Sequence, residues 1–165
     1  MPTDTLYGIV GKAENPATVE RIYKIRKRAP EKPCIILIGN ISELGKFNIV
    51  LSGEQKNKIK EYWPGPVSIV LDCPDEKFTY LHRGTKTLAF RLPMQADLRN
   101  LLLKTGPTIA PSANTEGLTP ARNIQEAENY FGIEIDLYLN GGEITGKPSK
   151  VVRLYNDGDE YIIRK

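Results

Sequence analysis

The segment from Thr108 to Arg122, Thr-Ile-Ala-Pro-Ser-Ala-Asn-Thr-Glu-Gly-Leu-Thr-Pro-Ala-Arg, constrains the fold of this chain more than any other. Thr108 to Ala110 is short, apolar and β-compatible, and Pro111 ends the ladder because it has no N–H to donate. Ser112, Ala113 and Asn114 then present a hydroxyl and a carboxamide with little bulk, so a ligand can come close to the backbone. Gly117 loosens the loop further. A helix start follows, either at Thr119-Pro120 or at Asn123 with Glu126 three residues on, and its free N–H groups suit an anion. Taken alone, the loop is equally compatible with an ordinary strand-to-helix turn.

The rest of the chain fits around that strand and loop. Pro2-Thr3-Asp4-Thr5-Leu6-Tyr7-Gly8 opens with three small polar side chains, a density of hydrogen-bonding groups that usually follows a strand; a frayed terminus is the alternative. Asn15-Pro16 reads as an N-cap and first helical residue, Val19, Ile22 and Tyr23 share one helix face, and the helix should end before Pro30. Arg26, Lys27, Arg28 and Lys32 gather at its C-terminus, ahead of a buried-looking strand, Cys34 to Ile38. The helix dipole favours cations there, and the group also suits a phosphate or carboxylate. Residues 41 to 62 read as two short helices, the second with a Ser52/Gln55 capping box.

Trp63 reads as a core anchor rather than a stacking platform, Val67 to Leu71 as a strand, and His82 has no partner that would give it a role. Thr87 to Pro93 is a strand carrying Arg91, which needs an anion or carbonyl cluster if buried, or else points to solvent. Asp97 to Lys104 and 123 to 131 read as helices and Asp136 to Leu139 as a strand. Val151 to Tyr155 and Glu160 to Arg164 form a hairpin, preceded by the small basic loop Gly146 to Lys150. Strands and helices intermix irregularly, which predicts an α/β fold with a mixed sheet.

Length and composition exclude several classes. One domain is expected from 165 residues, long enough to bury about two thirds of the unfolded surface. With 40% hydrophobic and 26% charged residues and no apolar run near the ~20 needed to span a bilayer, the chain reads as a soluble protein without a membrane partner. Cys34 and Cys73 lack metal-ligand spacing and read as free thiols in a reducing cytoplasm, so no protein metal site is expected. A net charge of +3 is too small to indicate a nucleic-acid protein by itself.

Together these segments resemble the YrdC/TsaC family, the threonylcarbamoyl-AMP synthases that begin threonylcarbamoyl modification of adenosine 37 in tRNA. The resemblance runs through Pro-Thr-Asp-Thr-Leu-Tyr-Gly at 2 to 8, Arg26-Lys27-Arg28 with Lys32-Pro33, Trp-Pro-Gly-Pro at 63 to 66, and Thr87 through Arg91. Ala110 to Asn114, Ser149 and Arg164 complete it, so it covers the whole chain. It implies a single YrdC-like domain over 1–165, a twisted mixed sheet with flanking helices and a concave basic cleft for ATP, threonine and bicarbonate. By that resemblance threonine sits near Thr5, Arg91, the Ala110 backbone and Ser149, its carboxylate on the Arg91 fork. The nucleotide is held by Arg28, Lys32, Thr87, Ser112, Asn114, the Pro120 backbone and Arg164, and Arg26, Arg28, Ser112 and Asn114 form the catalytic set. Mg2+ travels with the phosphates. Positioning and charge neutralisation carry the chemistry, without a protein nucleophile. Downstream threonylcarbamoyl-transfer proteins and tRNA are the implied macromolecular partners.

The chain departs from the pattern at Arg26, where Lys is usual, at Leu37, where some members place a His, and at Lys150, where a Thr commonly follows the Ser. Each departure retunes the substrate pocket. Family members also carry a helix and a strand ahead of the Pro-Thr-Asp-Thr segment, so the resemblance predicts elements missing before Pro2. Two other readings remain open at this stage. One is an RNA-binding module whose basic face around Arg26 to Lys32 grips tRNA or double-stranded RNA; the other is action on a different carbamoyl adenylate, as YrdC-like domains do inside larger carbamoyltransferases.

Overall fold

Asn15 and Pro16 begin the first helix, α1 (Pro16–Arg26), as their order dictates. Pro16 takes a position where a missing N–H costs nothing, and Asn15 Oδ1 accepts from the Thr18 amide at 3.1 Å. The computed structural model describes residues 1–165. Val19, Ile22 and Tyr23 are buried as expected, and so is Arg26. The helix stops at Arg26, earlier than Pro30 demands, because Lys27 turns left-handed at φ 51°. That turn splits the cationic run, leaving Arg26 on the buried helix face and Arg28 and Lys32 in the loop beyond.

A single seven-stranded sheet organises the rest. Its strands are β1 (Gly11–Lys12), β2 (Ile35–Leu37), β3 (Val67–Asp72), β4 (Thr87–Arg91), β5 (Thr108–Ile109), β6 (Lys150–Leu154) and β7 (Glu160–Arg164), ordered β1-β5-β2-β4-β3-β6-β7. The pairs β2·β4 and β3·β6 are parallel and the others antiparallel, so the sheet is mixed. Because side chains alternate along a strand, β4 sends Leu88 and Phe90 to one face and Thr87, Ala89 and Arg91 to the other. The first face is the main core, where Leu88, Phe90, Ile36, Ile69 and Ile109 are fully buried and the Phe47 ring packs on Phe90 at 5.1 Å. Burying each such side chain contributes about 1.5–3 kcal/mol. Trp63 belongs to this core and donates Nε1–H to the Val67 carbonyl at 2.7 Å.

Four further helices complete the chain: α2 (Gly53–Ile59), α3 (Thr79–His82), α4 (Ala96–Thr105) and α5 (Ile124–Phe131). The Ser52/Gln55 capping box is formed in both directions at α2, but the first of the two short helices expected over 41 to 62 is a 3-10 turn, Ile41–Phe47. Asp136 to Leu139 is not a strand. Its backbone makes no ladder hydrogen bond, because no strand runs beside it. Arg21 of α1 instead ties it down, donating to the Asp136 carboxylate at 2.7 Å and to the Glu134 carbonyl. At α5 the cap is Asn123, whose Oδ1 accepts from the Glu126 amide at 2.9 Å. Asn123→Ala is expected to lower stability by about 1 kcal/mol, seen as a lower urea midpoint with an unchanged m-value.

Candidate functional site

The second face of the sheet is the floor of a cleft of about 430 Å3. Ile35, Val70, Ala89 and Ala110 make that floor apolar and low, which leaves the space to the polar groups at its rim. Three segments build the rim, and backbone hydrogen bonds sew them together. β5 ends at Ile109, but Pro111 does not stop the pairing, because its carbonyl still accepts: the chain runs on antiparallel to the N-terminal segment, the Ile9 amide donating to the Pro111 carbonyl at 3.0 Å and the Ala113 amide to the Tyr7 carbonyl at 2.8 Å. Within the N-terminal segment, the Thr3 hydroxyl donates to the Leu6 carbonyl at 2.6 Å and accepts from the Thr5 and Leu6 amides. This local turn presents Thr5 to the cleft and sends Asp4 beneath it. The third segment is the irregular strap 140–149, held because Tyr7 Oη donates to the Gly142 carbonyl at 2.7 Å and accepts from the Gly141 amide at 2.8 Å.

Of the residues expected at the site, Thr5, Arg28, Thr87, Arg91, Ala110, Ser112, Pro120, Ser149 and Arg164 line this one cleft. Arg28 is fixed by donation from Nε to the Lys32 carbonyl and from Nη2 to the Pro33 carbonyl. Arg164 clasps the Ser149 carbonyl through Nε and Nη2 at 3.0 and 2.8 Å. The Ser149 hydroxyl, in turn, is 2.8 Å from that of Ser68. Arg91 is buried, and its Nε and Nη2 both donate to Asp4 Oδ1, at 3.1 and 2.8 Å. Burial pushes its pKa down and the Asp4 carboxylate pulls it back up. No carboxylate lines the cleft, and although Asp4 offsets Arg91 from beneath, Arg28 and Arg164 have no carboxylate partner, which makes it a site for anions.

Arg26, Lys32 and Asn114 are not brought into the cleft. Arg26 lies behind the Ser112 to Asn114 loop and holds it from the rear, donating from Nε to the Asn114 carbonyl at 3.0 Å and from Nη2 to Asn114 Oδ1 and Ser112 Oγ. The Asn114 amide nitrogen donates to the Thr115 and Leu118 carbonyls, so the whole carboxamide is spent on loop shape. Lys32 is paired at 2.7 Å with Glu116, whose carboxyl is held below its usual range first by that lysine and then by the Ala29 amide. The sequence marks the segments that hold Thr3, Asp4, Tyr7 and Glu116 but gives none of the four a role of its own. Asp4 and Glu116 meet their partners across more than 80 residues, and no local spacing marks such pairs. Cys34 also faces the cleft, and burial pushes its thiol pKa up, which favours the protonated thiol.

A second hollow of about 260 Å3 lies between α1, α5 and residues 134–139. It is lined mainly by apolar side chains, and the polar groups that could hold a substrate converge on the first cleft instead. No helix is long and apolar enough to cross a membrane.

A family model for Sua5, YciO and YrdC proteins, described as "Telomere recombination", matches residues 1–165. The chain is 34% identical over 118 residues to a protein of Bacillus subtilis (strain 168) named threonylcarbamoyl-AMP synthase, covering 70% of this chain and 34% of that one. It is 31% identical over 156 residues to a protein of the same name from Pyrococcus abyssi, covering 93% and 46%. The chain thus spans between a third and a half of the length of these two relatives. Among solved structures, that of P. abyssi Sua5 complexed with L-threonine superposes with a TM-score of 0.88 at 28% identity, over 99% of this chain and 48% of that one.

Proposed function

The chain belongs to the Sua5/YciO/YrdC family, and on that footing we propose that it is a nucleotidyltransferase making threonylcarbamoyl-AMP and pyrophosphate from L-threonine, bicarbonate and ATP. One observation carries the reading: Arg28, Arg91 and Arg164 converge with the hydroxyls of Thr5, Ser112 and Ser149 on a single cleft free of carboxylates. ATP is a polyanion and L-threonine carries a carboxylate, and this cleft offers guanidiniums to both.

In this reading the threonine carboxylate meets Arg91, with Thr5, the Ala110 backbone and Ser149 around the rest of the amino acid. The unprotonated amine adds to the carbon of bicarbonate, and loss of water leaves a carbamate. A carbamate oxygen then attacks the α-phosphorus of ATP. The bond to the β-phosphate oxygen breaks, and pyrophosphate leaves with its electron pair. Arg28, Thr87, Ser112, Arg164 and the Pro120 backbone hold the nucleotide, while Arg26, Asn114 and Lys32 act from behind by fixing the loops. Holding carbamate and α-phosphorus together supplies the orientation, and the guanidiniums neutralise charge that builds on the phosphates.

The hydroxyls and cations of the cleft suit phosphate oxygens and not a bare metal ion, and no group of His, Cys, Asp or Glu side chains is placed to hold one. In this reading Mg2+ arrives with the nucleotide, where it would offset phosphate charge. The same reading sets the enzyme in the cytoplasm, ahead of threonylcarbamoyl-transfer proteins that deliver the product to tRNA.

The test is pyrophosphate release from ATP and Mg2+. Release is expected only with threonine and bicarbonate together, with serine as the control. Arg28→Ala and Ser112→Ala should each weaken ATP binding by about tenfold or more, read by calorimetry. Pyrophosphate that forms without threonine, or at a rate indifferent to bicarbonate, would exclude this reaction.

A further inference from the structure

Asp4 sits in the tightest ion pair of the cleft, yet does not line it. Its side chain and that of Arg91 are 3% and 4% exposed. Asp4 Oδ1 receives both Nε and Nη2 of the guanidinium, and Oδ2 is buried with no donor at all. Arg91 itself does face the cleft, with Nη1 left free of any protein partner. The turn closed by the Thr3 hydroxyl produces this arrangement, since it sends Thr5 upward and Asp4 below.

We propose that Asp4 determines the selectivity of the amino-acid subsite by occupying Arg91 before any ligand arrives. The inference rests on the reading of Arg91 as a carboxylate receptor and adds the residue that makes the receptor discriminating. Two of the N–H directions of Arg91 are taken and its charge is cancelled. An incoming carboxylate meets an electrically neutral pair, and its attraction to the cation is offset by repulsion from the anion just behind. A bare carboxylate gains little there. A ligand must add hydrogen bonds to Thr5, Ser149 and the Ala110 backbone before it binds, and an amino acid with a side-chain hydroxyl can do so.

Replacing the charge while keeping the shape isolates this effect. Asp4→Asn leaves a buried guanidinium uncompensated, so the ligand-free protein should melt at a lower temperature. A ligand carboxylate then supplies the missing charge. Calorimetry and thermal melting with acetate and with L-threonine, on the wild type and on Asp4→Asn, read both consequences. For the wild type, acetate should bind at least about a hundredfold more weakly than threonine. For Asp4→Asn, acetate affinity should rise on the order of tenfold. The melting shift produced by threonine should grow, and the preference for threonine over acetate should shrink.

A merely structural role for Asp4 predicts the reverse, both ligands weakened in proportion with their ratio unchanged, and that result overturns the proposal. Asp4→Glu, which restores the charge, should return the ratio toward wild type. If the wild type binds no threonine but acetate still gains in Asp4→Asn, the amino-acid reading fails while the role of Asp4 stands. Should Asp4→Asn not fold, the wild type decides: acetate binding within about tenfold of threonine shows that the subsite does not discriminate, and the proposal fails.

Discussion

Arg91→Ala is expected to destabilise the protein by about 3–5 kcal/mol, the usual cost of removing one partner of a buried ion pair. The reason lies with the residue left behind. The Asp4 side chain is almost wholly buried, its Oδ2 already lacks a donor, and the substitution strips Oδ1 of both its hydrogen bonds. Measured against a total stability of about 5–15 kcal/mol, that loss brings the fold near its limit. For a chain of this size it corresponds to a fall of roughly 6–20 °C in Tm. Threonine binding should vanish with it. Adding Asp4→Ala to Arg91→Ala separates the two effects: stability should recover in part, since the stranded carboxylate is gone, while threonine binding stays lost. A single variant whose denaturation midpoint matches the wild type would mean that the pair is not buried in solution.

The ease with which parts of this molecule can be read from sequence follows the range of the interactions that form them. The caps at Asn15, Ser52 and Asn123 close hydrogen bonds within three residues, so a short stretch of sequence contains the whole cause. Asp136 to Leu139 has a strand-like spacing of apolar residues, but a strand exists only where a neighbour receives its N–H and C=O groups, and that neighbour is not written in the segment itself. At the site, the types of residue were legible and their orientation was not. Arg91 carries an anion partner, as a buried arginine must, yet the partner is Asp4 of the same chain.

The cationic run shows the same limit and bears on function. As a sequence, Arg26 to Lys32 is compatible with a face that grips RNA. In the fold, Arg26 is buried behind the Ser112 to Asn114 loop, Arg28 is tied to two carbonyls at the cleft, and Lys32 is paired with Glu116. Phosphate contacts that drive RNA binding need cations free to release their counterions. Here Arg26, Arg28 and Lys32 are committed to the cleft and its loops and only Lys27 stands exposed without a side-chain partner, which favours a small anionic substrate over a polyanion laid across the surface.

Gly146→Ala should be the most damaging substitution among small residues, because it acts on the strap that carries Ser149. A Cβ on Gly146 would overlap the Thr5 carbonyl, and that obstacle is backbone, so no side chain can rotate out of the way. The strap must lift. It is held by Tyr7 Oη at Gly141 and Gly142 and by the Ile144 amide on the Arg122 carbonyl, so displacement is concentrated between Ile144 and Ser149 and pushes Pro148 and Ser149 from Thr5 against the hold of Ser68 and Arg164 on Ser149. Overpacking of this kind costs about 1–3 kcal/mol, and threonine affinity should fall roughly tenfold to a hundredfold. ATP affinity should change less, since Arg28, Ser112 and Thr87 stand on other segments and only Arg164, through its bonds to Ser149, feels the shift. Gly45→Ala is the matched control, where the added methyl meets open space. The pair of variants is compared by threonine and ATP calorimetry. If Gly146→Ala weakens both ligands equally, the strap does not belong to the threonine side of the cleft; if it weakens neither, the chain relieves the overlap without moving Ser149.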